Sequence, residues 1–243
     1  MAHVSGTKHL RRISAPKEWP IPRKGSYWIT RPITTGIMFE LCMPIVLWLR
    51  DYLKLFKTKN EVKYALSKNS ITINGKLIKD VRYPAGLFDT IGIIDIDKYY
   101  RVTMSTNEKL KLIEIPKEED GLKIIKIVKK TMIKDGKIQI TGFDGRNFLT
   151  NDKNIKTGDS LLVDLKNNKI KDIIRLNPGV VLFFYRGHKA GTLGRLKELK
   201  IFKKSFGNTR FFIYEDLETK EIKETISDYG VVVGEENSLI TLK

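Results

Sequence analysis

Turn signals limit what this chain can fold into more than any other feature. From Ile71 onward the apolar runs are cut by Asn74-Gly75, Asp120-Gly121, Asp135-Gly136, Asp144-Gly145, Thr157-Gly158-Asp159 and Asn167-Asn168. These residues tolerate the backbone of tight turns. Segments that short suit strands rather than long helices. The pattern predicts strands over Ile91–Ile96, Tyr99–Met104, Lys111–Ile115, Ile124–Val128, Lys137–Thr141, Ser160–Asp164 and Lys169–Leu176, and a β-rich segment from Pro178 to Ser238. No internal repeat has a convincing period. The expected class is α+β and multidomain, with small barrels or sandwiches following a helical portion.

That helical portion comes first. Over Pro44–Phe56, Ile45, Trp48, Leu49, Tyr52, Leu53 and Phe56 fall at three- and four-residue steps, which predicts an amphipathic helix. Arg50, Lys54 and Lys57 follow the same spacing on another face and are expected to form a basic stripe. A second helix follows, with Thr58 and Glu61 as its capping box, Val62, Ala65 and Leu66 as its apolar face, and Asn69 as a left-handed stop. Then "SITINGKLIKD" reads as a hairpin turning on Asn74-Gly75.

Charge narrows the function. Lys plus Arg number 45 against 28 Asp plus Glu, a formal net charge of +17. A compact state holding that surplus gains from an anionic partner, of which nucleic acid is the commonest. The most apolar stretch, Ile37–Phe56, contains Glu40, Pro44, Arg50 and Asp51, so it does not suit a membrane span. The start has no apolar core of signal-peptide type. The single cysteine, Cys42, cannot form an internal disulfide and reads as a small buried residue. In residues 1–42, Lys8, His9, Arg11, Arg12, Lys17, Arg23, Lys24 and Arg31 are interleaved with Trp19, Tyr27, Trp28 and four prolines. This predicts an extended basic arm lying along phosphates, with the Trp19 ring stacking on a base; the alternative is a disordered tail.

Catalysis has little to work with. The imidazoles are His3, His9 and His188, none in metal-ligand spacing with Cys42. Asp95 and Asp97 in "IDID" would leave one face of a strand, where a solvated turn is the simpler reading. "GFDG" (Gly142–Gly145) lacks the serine of a nucleophile elbow. No catalytic residue, metal or cofactor is expected.

Two strings resemble known modules. "NEVKYALSKNSITINGKLIKD" (Asn60–Asp80) with "FDTI" (Phe88–Ile91) resembles the helix–helix–hairpin RNA-binding module shared by ribosomal proteins, pseudouridine synthases and some tRNA synthetases. Asn69 and Phe88 stand where that module usually has glycine. The resemblance implies RNA contacts at Arg50, Lys54, Lys57, Lys59, Lys63, Lys68, Asn74, Gly75, Lys76 and Arg82. The aspartate of the synthases' Arg-Leu-Asp is missing from the nearest string here, Arg195-Leu196-Lys197, so their activity is not implied. "PGVVLFFYRGHKAGTLGRLKEL" (Pro178–Leu199) resembles the KOW motif, implying an SH3-like barrel and contacts at Arg186, Gly187, His188, Lys189, Gly191, Gly194 and Arg195.

The order of parts resembles the four-e family of small-subunit ribosomal proteins of archaea and eukaryotes, as do "KHLRRISAPKEWPIPRKGSYWITRPITTG" (Lys8–Gly36), "MPIVLWLRDYLKLFKTKNEV" (Met43–Val62), "VRYPAGLFDTI" (Val81–Ile91) and "GDSLLVDLKNNKIKDII" (Gly158–Ile174). The form is similar to archaeal members. The resemblance implies a cytoplasmic, ribosome-bound protein that holds folded small-subunit ribosomal RNA beside neighbouring ribosomal proteins, with no membrane or small-molecule partner. A transiently bound transcription or translation factor is the rival. The expected parts are the arm (1–42), the RNA-binding module (43–104), a central β domain (105–177) and the KOW-type barrel (178–243).

Overall fold

The structure is a computed structural model that describes residues 9–133, 136–204 and 207–242. Lys8, His3 and Asp135 of the Asp135-Gly136 turn lie outside the described residues.

The N-terminal block is folded rather than extended, which corrects the arm expected from sequence. β1 (Leu10–Arg11) pairs antiparallel with β2 (Trp28–Ile29). The loop between them has no sheet ladder to satisfy its carbonyls, and guanidinium groups do so instead. Arg12, buried, donates to the Pro22 oxygen (3.0 Å), the Ser26 oxygen (3.1 Å) and Ser26 Oγ (3.0 Å). Arg23 donates to the carbonyls of Ala15 (2.6 Å) and Ile13 (3.1 Å). Beneath this loop Ala15, Trp19, Ile21 and Ile29 join the core.

β3 (Cys42–Pro44) leads into α1 (Ile45–Leu47), which continues as a π-helical turn over Trp48–Tyr52. The helix expected over Pro44–Phe56 is therefore shorter and wider. Ile45 to Leu49 are all 0% exposed, so the segment is an enclosed rod, not an amphipathic surface helix. Trp48 Nε1 donates to the Ala85 oxygen at 3.2 Å, and Lys54 ends the rod in the left-handed conformation. α2 (Lys59–Ser67) follows the sequence reading: Thr58 accepts from the Glu61 amide, Glu61 accepts from the Lys57 amide, and Asn69 takes φ 60°.

β4 (Ile71–Ile73) and β5 (Lys76–Leu77) form the expected hairpin, with Asn74 and Gly75 both at positive φ. β6 (Pro84–Gly86) pairs with β3. β7 (Thr90–Ile93), β8 (Lys98–Met104) and β9 (Leu110–Ile115) complete the first five-stranded sheet, ordered β5-β4-β7-β8-β9. The boundary drawn after Met104 thus shifts, because β9 pairs with β8. Asp95 and Asp97 sit on a short 3-10 turn and its left-handed end, not on a strand.

β10 (Leu122–Met132) is longer than its apolar run suggests. Its first half pairs with β13 (Ser160–Asp164), its second with β11 (Ile138–Gly142), across a register shift between Ile127 and Lys129. With β12 (Asn147–Thr150) and β14 (Lys169–Ile174) the second sheet is ordered β12-β11-β10-β13-β14. The third is β18-β17-β16-β15-β19, from β15 (Val181–Phe184), β16 (Leu193–Lys204), β17 (Gly207–Asp216), β18 (Ile222–Ile226) and β19 (Gly230–Gly234). The fold is mostly β with few helices, so the α component expected from sequence is smaller than expected.

Buried cations join the sheets. Lys123 of β10 places Nζ 2.8 Å from Asp89 Oδ1 and 3.2 Å from Asp144 Oδ2, with all three residues buried. Burial pushes its pKa down, but the two carboxylates overcome that and hold it above the ordinary value. Arg101, wholly buried, pairs with Glu119 and donates to the Leu122 oxygen at 3.1 Å. Lys126 donates to the carbonyls of Ser227 (2.7 Å) and Gly230 (2.9 Å), tying the second sheet to the third.

Two outcomes are expected. Lys123→Ala leaves buried Asp89 without a counter-ion and Asp144 with Arg146 alone, and should cost about 3–5 kcal/mol in urea unfolding, whereas replacing Lys123, Asp89 and Asp144 together by Met, Asn and Asn should recover most of that loss. Burial lowers the Lys126 pKa from 10.5 to about 8, opposed by Asp228 and reinforced by Arg210. The folded protein therefore releases this proton before the unfolded chain does. Below about pH 8 the burial penalty is at full strength, and between there and pH 10.5 folding becomes more favourable. Stability measured relative to Lys126→Met should rise over that window by up to about 3 kcal/mol.

Candidate nucleic-acid interface

The outward face of α2 is the densest basic surface among the residues expected to bind. The helix buries Val62, Ala65 and Leu66, so its other residues point outward. Lys59 and Lys63, four residues apart, share one stripe. Lys68 at the C-cap lies 4.7 Å from the Tyr64 ring centre, and that contact raises the lysine's pKa. Lys57 precedes the cap, and Lys76 stands on β5, also exposed. Among the described residues, Lys54, Lys57, Lys59, Lys63 and Lys76 make no ion pair. They can neutralise phosphates at low cost.

The expected Arg50, Lys54, Lys57 stripe is not a helical stripe. Arg50 is bidentate on Asp51 (2.7 and 2.9 Å), which raises its pKa and cancels its charge locally. Lys54 and Lys57 follow the end of the rod. Other expected contacts prove structural. Asn74 is buried, donating to Asp89 Oδ1 at 2.8 Å and accepting from the Thr90 amide at 3.0 Å. Gly75 lies beneath the Lys166 side chain, where a Cβ would come within 2.4 Å of Lys166 Cγ. Arg82 pairs with Asp80 at 3.1 Å.

The glycine-rich loop divides in two. Gly187, His188 and Lys189 form an exposed tip, beside Arg186, which is paired with Glu40. Gly191 and Gly194 face inward: a Cβ at Gly191 would sit 2.4 Å from the Ser105 carbonyl carbon, and one at Gly194 would meet the Tyr214 ring at 2.3 Å. They serve close packing within the chain, and Arg195 beyond them is exposed.

In the N-terminal block Arg11, Lys17 and Lys24 are exposed, and Arg31 is half-buried. Arg12 is consumed by carbonyls, and Trp19, 1% exposed against Phe39, cannot stack on a base. The rings exposed in this block are others than Trp19. Tyr27 and Trp28, 60% and 55% exposed, meet edge to face at 4.7 Å, and His9 lies 5.4 Å from Trp28. Sequence reasoning also missed Lys129 and Lys200 on the later strands and Lys137 just before β11, all exposed. Their only signal was local excess of lysine over acid. Among the described residues no three His, Cys, Asp or Glu side chains could hold a metal ion, and no helix is long and apolar enough to cross a membrane.

The sequence profile of Ribosomal family S4e matches residues 96–170, and that of the RS4NT (NUC023) domain matches residues 5–34. The chain is 40% identical over 193 residues to the small ribosomal subunit protein eS4 of Nanoarchaeum equitans, covering 79% of this chain and 82% of that protein. It is 32% identical to the protein of that name from Korarchaeum cryptofilum over the whole of both chains. The crystal structure of the 30S ribosomal protein S4e from Thermoplasma acidophilum superposes with TM-score 0.67 at 28% identity, covering 84% of this chain and 99% of that one.

Burial separates the roles of the two tryptophans. Trp19→Ala should cost about 3–5 kcal/mol of stability in denaturant titration while leaving RNA affinity of the folded protein unchanged. Trp28→Ala should keep the melting temperature and weaken RNA binding by about 1–3 kcal/mol in a filter-binding assay.

Proposed function

The chain belongs to the small ribosomal subunit protein eS4 family, and from that premise we propose that it is a structural constituent of the small subunit that grips folded ribosomal RNA through phosphate and shape contacts. The family is structural and non-enzymatic. The observation that carries the RNA reading is the α2 face: cations at fixed spacing, outward, and held in no direct salt bridge, with Glu61, Asp80 and Asp95 as the nearer acids. A folded RNA presents phosphates at comparably fixed spacing, and matching arrays of that kind give shape-dependent binding. The exposed ring cluster of Tyr27, Trp28 and His9 and the tip of Gly187, His188 and Lys189 add to that surface.

Small-subunit ribosomal RNA is the principal partner, neighbouring ribosomal proteins are secondary ones, and the site of action is the cytoplasmic ribosome. The third sheet is read as a KOW-type, SH3-like barrel. Its antiparallel meander, with β19 returning beside β15 and a glycine-bearing loop after β15, supports that reading.

A structural component should co-sediment with the small subunit at one copy through a high-salt wash. Release by salt would favour a visiting factor instead. Within that assay, Lys57→Ala with Lys63→Ala should lower affinity for a folded fragment of small-subunit RNA and reduce the magnitude of the log-salt slope by roughly 0.7–0.9 per lost contact. An unaltered slope would remove α2 from the interface.

A further inference from the structure

Two β-ribbons project from the second and third sheets. β10 pairs with β13 only as far as Lys126, so its outer half, Lys129–Met132, has β11 alone for a neighbour. β16 and β17 run on together to Lys204 and Gly207, although β15 reaches only Leu193–Arg195 and β18 only Phe211–Glu215. A two-stranded ribbon in water is marginal. Each of these exposes apolar side chains as well: Val128 and Met132 (57% and 71%) on one, Ile201 and Phe202 (54% and 48%) on the other.

Between the roots of the ribbons opens a cleft of about 860 Å³. One wall is Lys126, Val128 and Phe143 of the second sheet; the other carries Arg210 of β17 and Tyr229 of the turn before β19. Gly142, Gly145 and Gly158 also line it, leaving backbone open to close approach. The charge is one-sided. On the described ribbons Lys129 and Lys200 are exposed, Lys137 is exposed just before β11, and Lys130 donates to the carbonyls of Lys153 (2.7 Å) and Ile155 (2.9 Å); from Leu199 to Phe211 the sequence holds four cations, Arg210 among them, and no acid. Asp228 is the acid that lines the cleft. Arg210 is exposed and makes a long hydrogen bond of 3.5 Å to the Thr157 oxygen, so its guanidinium is available to a ligand.

Resting on the RNA-binding reading above, we propose that this cleft receives an unpaired stretch of ribosomal RNA, its phosphates tracked by the two basic ribbons and an unstacked base lying against Tyr229 and Arg210. The volume lies within the roughly 300–1,000 Å³ of sites for small ligands, room for a nucleotide or two and too narrow for a duplex. Aromatic and guanidinium faces are the surfaces on which splayed RNA bases stack. The α2 face, the outward side of a helix, suits paired RNA. The two sites therefore divide the RNA by its form.

The test uses the full chain with three probes in fluorescence anisotropy: labelled octauridylate, a twelve-base-pair RNA duplex, and a polyglutamate peptide as competitor. Arg210→Ala should weaken octauridylate binding about 5–10-fold and lower the magnitude of its log-salt slope by roughly 0.7. Val128→Trp fills the cleft without removing a charge. It should weaken octauridylate to a similar degree and leave the duplex within about twofold, with an unchanged melting curve because Val128 is 57% exposed. Lys57→Ala with Lys63→Ala should do the reverse. If Val128→Trp leaves octauridylate binding intact, or polyglutamate displaces it as well as unlabelled octauridylate does, the cleft proposal is overturned. Failure of the α2 variant to affect the duplex sinks the α2 reading alone.

Discussion

A single ammonium group, Lys123 Nζ, sits where the first two sheets meet, and the placement of both depends on it. Its carboxylate partner Asp89 also accepts the Gly86 amide at 2.7 Å and the Asn74 side chain at 2.8 Å. Its other partner, Asp144, holds Arg146 at 3.2 Å. One buried charge thus fixes the β4–β5 turn, the approach to β7 and the turn after β11. A buried ion pair adds little net stability, because desolvation offsets attraction. Its effect is registry: any slip of β10 against the first sheet would strand a charge in a dry interior. The outward face of α2 inherits its orientation from that lock, since the hairpin following α2 turns on Asn74.

The same economy runs through the molecule. The sequence carries a large cationic surplus, yet Arg12, Arg101, Lys123 and Lys126 spend their charge indoors, on carbonyls and carboxylates. Arg50 and Arg82 are cancelled by near neighbours in sequence. What remains for an anionic partner is mostly lysine, on α2, at the loop tip and on the two ribbons. Lysine is a flexible point charge suited to phosphate rather than to base-edge recognition, which agrees with a protein that grips RNA by backbone and form.

Features encoded over a few residues were legible in the sequence. The Thr58–Glu61 cap, the Asn69 stop, the Asn74-Gly75 turn and strands such as Ser160–Asp164 each follow from local chemistry. Phe88, flagged as standing in a glycine position, does take φ 64°, and its ring is wholly buried. What was misread depended on distant partners. Helical spacing over Pro44–Phe56 could not reveal that Ile45–Leu49 are enclosed on every side. Charge and proline in the first block hid a β1–β2 pairing and a core tryptophan. Among the expected contacts, Arg12, Trp19, Asn74, Gly191 and Gly194 turned inward for the same reason: a residue type suited to RNA is equally suited to filling a polar or crowded interior. The basic ribbons were overlooked because Lys129–Met132 ends the apolar alternation that marks a buried strand.

Glu119 meets more than Arg101. It accepts from the Thr241 amide (3.1 Å) and hydroxyl (2.7 Å), and Arg101 reaches the Thr241 carbonyl across 140 residues of sequence. A nascent chain that has already emerged through the second sheet still lacks this clasp. Until Thr241 is polymerised and delivered, a desolvated guanidinium–carboxylate pair has one edge unanswered. Closure of such a distant loop is entropically slow. A sheet formed early in the sequence thus owes its last satisfied contacts to a segment 140 residues downstream, so its order belongs to the whole described chain rather than to a local unit.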